Sequence, residues 1–174
     1  VGAGPGAKDL ITLRGVQRLQ EADVIYYDRL VDPEILELAR RDAMRVYVGK
    51  RPGCHSWPQE KITQTMVAAA KNGARVVRLK SGDPAIFARS LEEMRALRDA
   101  AIPFEIVPGV TAACGAAAAA SQTLTERDAI DTLILTTGHL SGGYGVTDAV
   151  KYLSPGSCIA LYMAVGAAED VSAH

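Results

Sequence analysis

Cysteine is sparse: Cys54, Cys114 and Cys158 are the only three in 174 residues. Their number is odd, no two form a C-x-x-C pair, and no histidine follows at zinc-finger spacing. A disulfide framework and a structural zinc site are therefore not indicated, and reduced thiols in a cytoplasmic protein are expected. An excess of charge is also missing. Nineteen Lys and Arg face twenty Asp and Glu, a net charge of −1, so a nucleic acid would need a local basic patch, and none stands out. The longest apolar stretch, residues 112–120, is too short and too rich in alanine to span a bilayer, and no signal peptide precedes the first motif. No repeat with a period of about 20 to 50 residues is present. What remains is ordinary globular usage, 48% hydrophobic and 22% charged, enough for a packed core. The length suits one large domain, or one domain and part of another.

Periodicity supplies the elements. Thr12 can cap a helix in which Leu13, Val16, Leu19 and Ala22 recur at helical spacing, and residues 24–27 read as a short buried strand. Asp32-Pro33 is a cap followed by proline at the first helical position, opening a helix that ends before a strand at 44–48. Residues 51–57 read as a loop, Pro58 opens a helix that Gly73 stops, and 75–79 is another buried strand. This βαβα alternation predicts an α/β fold. A helix at 91–101 and a strand at 104–107 follow, after which Pro108-Gly109 breaks the pattern and marks a domain boundary. Residues 1–108 are thus expected to form an N-terminal α/β domain carrying substrate-side loops, and 109–174 the start of a C-terminal one. In the latter, an alanine-rich helix at 111–120, strands at 132–136 and 159–162, a glycine-rich loop at 141–145 and the beginning of a helix at 167–171 are expected. Both ends look cut, with Val1 reading as the last residue of a first strand.

Four stretches join an apolar, strand-like run to glycine, proline or charge, as ligand-binding loops do at the carboxyl ends of strands. They are Val1-Gly2-Ala3-Gly4-Pro5-Gly6, Tyr27-Asp28-Arg29-Leu30-Val31, Val48-Gly49-Lys50-Arg51 and Leu79-Lys80-Ser81-Gly82-Asp83-Pro84. The first lets backbone approach a ligand, or is simply a tight turn. It is not a nicotinamide fingerprint, because the glycine spacing differs and Pro5 removes an amide donor. Asp28 and Arg29 put an acid and a base at a strand end, either aimed into a crevice or joined as a structural ion pair. Lys50 and Arg51 suit a carboxylate-bearing substrate, or form a solvated loop in which His55 contacts substrate or steadies the chain. Ser81-Gly82-Asp83 breaks a buried strand with an acid able to accept hydrogen bonds from a ribose, or is a plain turn. Thr111 can cap a helix, and Met163, closing a strand, can be a core residue.

As an ordered set these stretches resemble the tetrapyrrole methylase family, from nearly the first residue to the last. The resemblance implies two α/β domains with the cofactor in the cleft between them, the second truncated here, in a cytoplasmic homodimer. It implies S-adenosylmethionine as methyl donor, S-adenosylhomocysteine as product, and no metal, nucleic-acid or membrane partner. Tyr27-Asp28-Arg29-Leu30-Val31 places the chain with the branch that methylates uroporphyrinogen III at two ring positions, giving precorrin-2 for sirohaem and cobalamin. By the same resemblance Asp28 is the proton acceptor and Lys50 the proton donor. Pro5, Ser81, Gly82, Asp83, Ile86, Thr111, Ala112 and Met163 lie on the cofactor, and Arg29, Arg51 and His55 on the substrate. The family's Gly-Pro-Gly-Asp, Gly-Gly-Asp-Pro, Gly-Arg-Gly-Gly and Leu-Thr-His-Arg are altered here at Ala7, Ser81, Ser90, Leu91 and Glu126. Two alternatives follow: a sibling methylase of a later corrin intermediate, and a degenerate relative that binds tetrapyrrole or adenosylhomocysteine without turnover.

Overall fold

The computed structural model describes residues 1–49, 57–140, 143–144 and 153–164. The chain divides into two units, Val1–Thr111 and Ala112–His174. In the first, β1 (Val24–Tyr27), β2 (Met44–Tyr47) and β3 (Val76–Leu79) form a parallel sheet in the order β2-β1-β3. Parallel neighbours need crossover connections. Helix α2 (Pro33–Leu36) lies in the first and α3 (Gln59–Lys71) in the second, while α1 (Leu13–Glu21) precedes the sheet and α4 (Ser90–Asp99) follows it.

Leu19, Ala22, Ile35 and Leu36 pack with Ile25, Val77 and Leu79, whereas Ile62 and Met66 pack with Val24, Tyr26 and Val48. Helices α1 and α2 therefore cover one face of the sheet and α3 the other. A strand covered on both faces must be apolar throughout, which is why Val24–Tyr27 reads as a continuous run. Thr12 caps α1 by accepting a hydrogen bond from the Gly15 amide at 3.1 Å. Asp32 caps α2 through the Glu34 amide at 2.8 Å, with Pro33 where no amide donor is needed. Helix α2 is only one turn. The chain then tightens, Leu38 N–H donating to Ile35 and Ala39 N–H to Leu36, and these short i to i−3 bonds carry it to β2.

The first residues run beside the end of β3. Lys80 N–H donates to the Val1 carbonyl at 3.0 Å, Ala3 N–H to Lys80 at 2.7 Å and Gly2 N–H to Val107 at 2.9 Å. A Cβ on Gly2 would lie 2.7 Å from Gly109 Cα and from the Gly82 carbonyl oxygen, so glycine is what lets three backbones cross here. The strand expected at 104–107 does not form. A groove of about 600 Å³, lined by Val76, Val77, Leu97, Phe104 and Ile106, lies against β3 there, and Phe104 and Ile106 stay exposed. Backbone pairing of this segment stops at the Val107 carbonyl, which accepts from Gly2.

In the second unit β4 (Thr132–Thr137) pairs in parallel with a six-residue strand, Ser157–Tyr162, which begins two residues earlier than expected because the register matches Thr132 with Ser157. Helix α5 (Ala112–Ala119) packs on that strand, and the Tyr162 hydroxyl accepts a hydrogen bond from the Ala113 amide at 3.2 Å. The glycine-rich segment expected as a loop is partly paired: β5 (His139–Leu140) and β6 (Gly143–Tyr144) are antiparallel, and Ser157–Tyr162 is β7. The helix expected at 167–171 lies outside the described residues. Among those residues Cys114 and Cys158 are free thiols, and no helix is long and apolar enough to cross a membrane.

Candidate functional site

Because β1 and β3 are parallel, their carboxyl ends share one edge of the sheet, and the residues after them, Asp28 and Lys80 to Asp83, emerge together. Asp28 is held twice: Oδ1 accepts from the Leu30 amide at 3.1 Å and Oδ2 from Arg78 Nη2 at 3.1 Å. Its side chain is 27% exposed and that of Arg78 11%. The ion pair foreseen at this strand end thus exists, but its base is Arg78 on β3, while the adjacent Arg29 is exposed.

Arg78 leads to a second acid. Its Nη1 donates to the Leu79 and Tyr26 carbonyls at 2.8 and 3.3 Å, and its Nε to Glu93 Oε1 at 3.3 Å. Glu93, on α4, also receives Lys80 Nζ at 2.7 Å and Gln59 Nε2 at 3.0 Å. Burial pushes the Lys80 ammonium below the ordinary lysine value, with Glu93 opposing that shift. Glu93 and Arg78 went unassigned from sequence. Their signal was Val76-Val77-Arg78-Leu79-Lys80, one cation inside a strand covered on both faces and a second, buried, just after it, which require a buried anion.

On the other side of Lys80 the chain turns. Gly82 has φ +67°, and Gly82 and Gly4 exchange backbone hydrogen bonds at 2.7 and 3.3 Å, drawing the Pro5 loop against the Ser81–Asp83 loop. Asp83 braces both ends of its surroundings, with Oδ1 accepting from the Ala85 amide at 2.7 Å and Oδ2 from the Gly109 amide at 3.0 Å. Each oxygen retains a lone pair for a ligand hydroxyl. Ser90, where the resemblance leads one to expect glycine, donates its hydroxyl to the Pro84 carbonyl at 2.5 Å and so closes the loop into α4. Asp83→Asn would set an amide donor against a backbone donor. It is expected to cost about 1.5–3 kcal/mol, read as a lower urea midpoint at unchanged m-value.

Pro5, Ser81, Gly82 and Asp83 therefore lie on one set of loops, with the half-buried Ile86 in the turn that follows and Thr111 at the end of the same unit. Ala112 opens α5 in the second unit. Met163 follows β7 with φ +54° and is 53% exposed, so the core role open to it from sequence is corrected: its backbone leaves the strand and carries the side chain into solvent. Lys50, Arg51 and His55 lie outside the described residues. Among the described residues no group of three or more His, Cys, Asp or Glu is placed to hold a metal.

The family model for tetrapyrrole (corrin/porphyrin) methylases matches residues 1–173. A siroheme synthase of Sodalis glossinidius is 49% identical over all of this chain and over 37% of its own length. A solved cobalt precorrin-4 methyltransferase, a cobalamin biosynthetic enzyme, superposes with a TM-score of 0.82 at 34% identity, covering 98% of this chain and 70% of that one. A uroporphyrin-III C-methyltransferase from Thermus thermophilus, complexed with S-adenosylhomocysteine, superposes at 0.77 with 34% identity, covering 99% and 68%. The chain spans about a third of the length of the curated relatives it matches.

Proposed function

The chain belongs to the tetrapyrrole (corrin/porphyrin) methylase family, and on that premise we propose that the protein methylates uroporphyrinogen III at two ring positions, giving precorrin-2 for sirohaem and cobalamin. The observation that carries this reading is the shared sheet edge, where the Asp28 carboxylate and the Gly4–Gly82–Asp83 loops emerge side by side. The loops suit an adenosyl ligand. A Cβ on Gly6, whose φ is +143°, would meet nothing within 4 Å, so there is room beside the Pro5 turn, and Asp83 keeps acceptor capacity for a ribose.

Bound S-adenosylmethionine supplies a methyl group on a sulfonium sulfur that leaves as a neutral thioether. The protein's task is then alignment and exclusion of water more than strong base chemistry. A pyrrole β-carbon, made electron-rich by its ring nitrogen, forms the new C–C bond, and the ring afterwards gives up a proton. Asp28 takes or steers that proton. Arg29, Lys50 and Arg51 hold the acetate and propionate groups of the substrate, with His55 beside them and Lys50 in the donor position of the family pattern. Pro5, Ser81, Gly82, Asp83, Ile86, Thr111, Ala112 and Met163 contact the cofactor. The working form is a cytoplasmic homodimer.

A sibling methylase of a later corrin intermediate is favoured by one observation, the TM-score of 0.82 to the cobalt precorrin-4 enzyme. Anaerobic incubation of the full-length protein with S-adenosylmethionine and either uroporphyrinogen III or a later corrin intermediate, followed by mass spectrometry, separates the readings. Two methyl-sized increments on uroporphyrinogen III support the first reading. Increments only on a later corrin intermediate support the sibling. Adenosylhomocysteine binding with no transfer to either supports a degenerate relative.

A further inference from the structure

We propose that Arg78 is the positioning residue of this site, fixing the Asp28 carboxylate at the end of β1 while the pair that anchors it, Glu93 and Lys80, closes the base of the Ser81–Arg89 loop. The role assigned to Asp28 rests on the function proposed above; the geometry does not. On its own element Asp28 has one anchor, the Leu30 amide, and a single hydrogen bond leaves a carboxylate free to turn about its last torsion. The second anchor comes from Arg78 Nη2 on the neighbouring strand.

Arg78 suits that task because its own position is over-determined. Nη1 binds the carbonyls of Leu79 and Tyr26, one at the end of β3 and one near the end of β1, so the guanidinium plane is tied to both strands. Nε is tied to Glu93. Val76 packs among the residues covered by α3, so Arg78 on β3 and Lys80 just after it, at the same parity, face the layer from which α4 presents Glu93 and α3 presents Gln59. Lys80 immediately precedes the Ser81–Asp83 loop and Glu93 lies just beyond it on α4. Their 2.7 Å pair therefore joins the two ends of the segment that carries Gly82 and Asp83. One rigid set of side chains thus sets both the proposed proton acceptor and the base of the proposed cofactor loop. A lysine in place of Arg78 keeps the charge but, as a single ammonium, cannot span two carboxylates and two carbonyls.

The test uses the full-length protein and the variants Arg78→Lys, Asp28→Asn and the two combined. Arg78→Lys is expected to lower kcat by about tenfold or more, as small misplacements of reacting groups do, with KM for uroporphyrinogen III and the affinity for adenosylhomocysteine changed less than about twofold. In the Asp28→Asn background it is expected to lower the residual rate no further, because it acts through Asp28. A second readout needs no turnover: freeing Asp28 should speed hydrogen exchange at the Leu30 amide by about tenfold at unchanged melting temperature. Should Arg78→Lys not fold, Arg78→Gln, which leaves Glu93 its Lys80 partner, takes its place. Unchanged Leu30 exchange with unchanged kcat overturns the proposal, as does an equal fractional loss of kcat with and without Asp28. Full turnover by Asp28→Asn overturns the catalytic reading of Asp28 instead, and faster Leu30 exchange in Arg78→Lys would still establish the positioning contact.

Discussion

Glu93→Ala is expected to lower the free energy of unfolding by about 3–5 kcal/mol, the usual consequence of removing one partner from a buried ion pair. Glu93 is the hub of the network: its side chain is 6% exposed and it receives Lys80 at 2.7 Å, Gln59 at 3.0 Å and Arg78 at 3.3 Å. Alanine would leave Lys80, 8% exposed, without its salt-bridge partner and with only the more distant charge of Asp28, and Arg78 with Asp28 as its one remaining carboxylate. Urea unfolding reads the loss as a fall in midpoint. The combined variant Lys80→Met with Glu93→Leu is expected to recover most of it, because burying two apolar groups costs nothing in charge desolvation. A loss below about 1 kcal/mol for Glu93→Ala would be the behaviour of a solvent-screened pair and would remove the network from the core.

The same variant carries a pH signature. Burial pushes the Lys80 ammonium below its ordinary value of 10.5, and Glu93 opposes that shift. With the folded value below the unfolded one, the unfolded chain binds more protons, so stability rises with pH over that window. Removing Glu93 removes the opposing interactions and widens the window. The deficit of Glu93→Ala should therefore shrink as pH is raised from neutrality toward 10.5, and a deficit that grows with pH would contradict the assignment.

What could be read in the chain was local. Thr12 and the apolar spacing from Leu13 to Ala22 yield α1 within a residue, because cap and period lie within one short segment. The continuous apolar run yields β1, and a mostly apolar run interrupted by Arg78 yields β3, since both faces of the sheet are covered. Residues 104–107 look like a strand by composition, yet strand formation needs a partner along the whole ladder, and only Val107 has one. The site shows the same division. Strand ends mark Asp28 and the Ser81–Asp83 loop, because a break from apolar run to glycine or acid is visible in the residues themselves. The partner of Asp28 is not visible, being 50 positions away and brought near only by the β1–β3 register, while Arg29, its neighbour in sequence, is exposed. Glu93 is hidden in the same way. On an isolated α4, Ser90 to Asp99, it is one acid among several, and only packing of α4 with α3 and β3 makes it the buried one.

Asp28→Ala is expected to reduce methyl transfer to uroporphyrinogen III by about a hundredfold or more, the range in which positioned acids and bases act, and to leave adenosylhomocysteine affinity within about twofold. The two effects separate because Asp28 is tied to Leu30 and Arg78, whereas the loops proposed to hold the cofactor are tied to one another through Gly4, Gly82, Asp83 and Gly109. Fold loss should be small. Asp28 is more than a quarter exposed, and Arg78 keeps Glu93 and two carbonyls when it goes, so about 1 kcal/mol is expected. A rate change of that size therefore cannot come from unfolding at ordinary temperature. Single-turnover methylation followed by mass spectrometry, with calorimetric titration of adenosylhomocysteine, reads both quantities on one preparation. Unchanged transfer would assign the proton to water and leave Asp28 as the structural partner of Arg78. Loss of transfer together with loss of adenosylhomocysteine binding would place Asp28 on the cofactor instead, and loss of transfer alone would leave the carboxylate as the group that receives the proton.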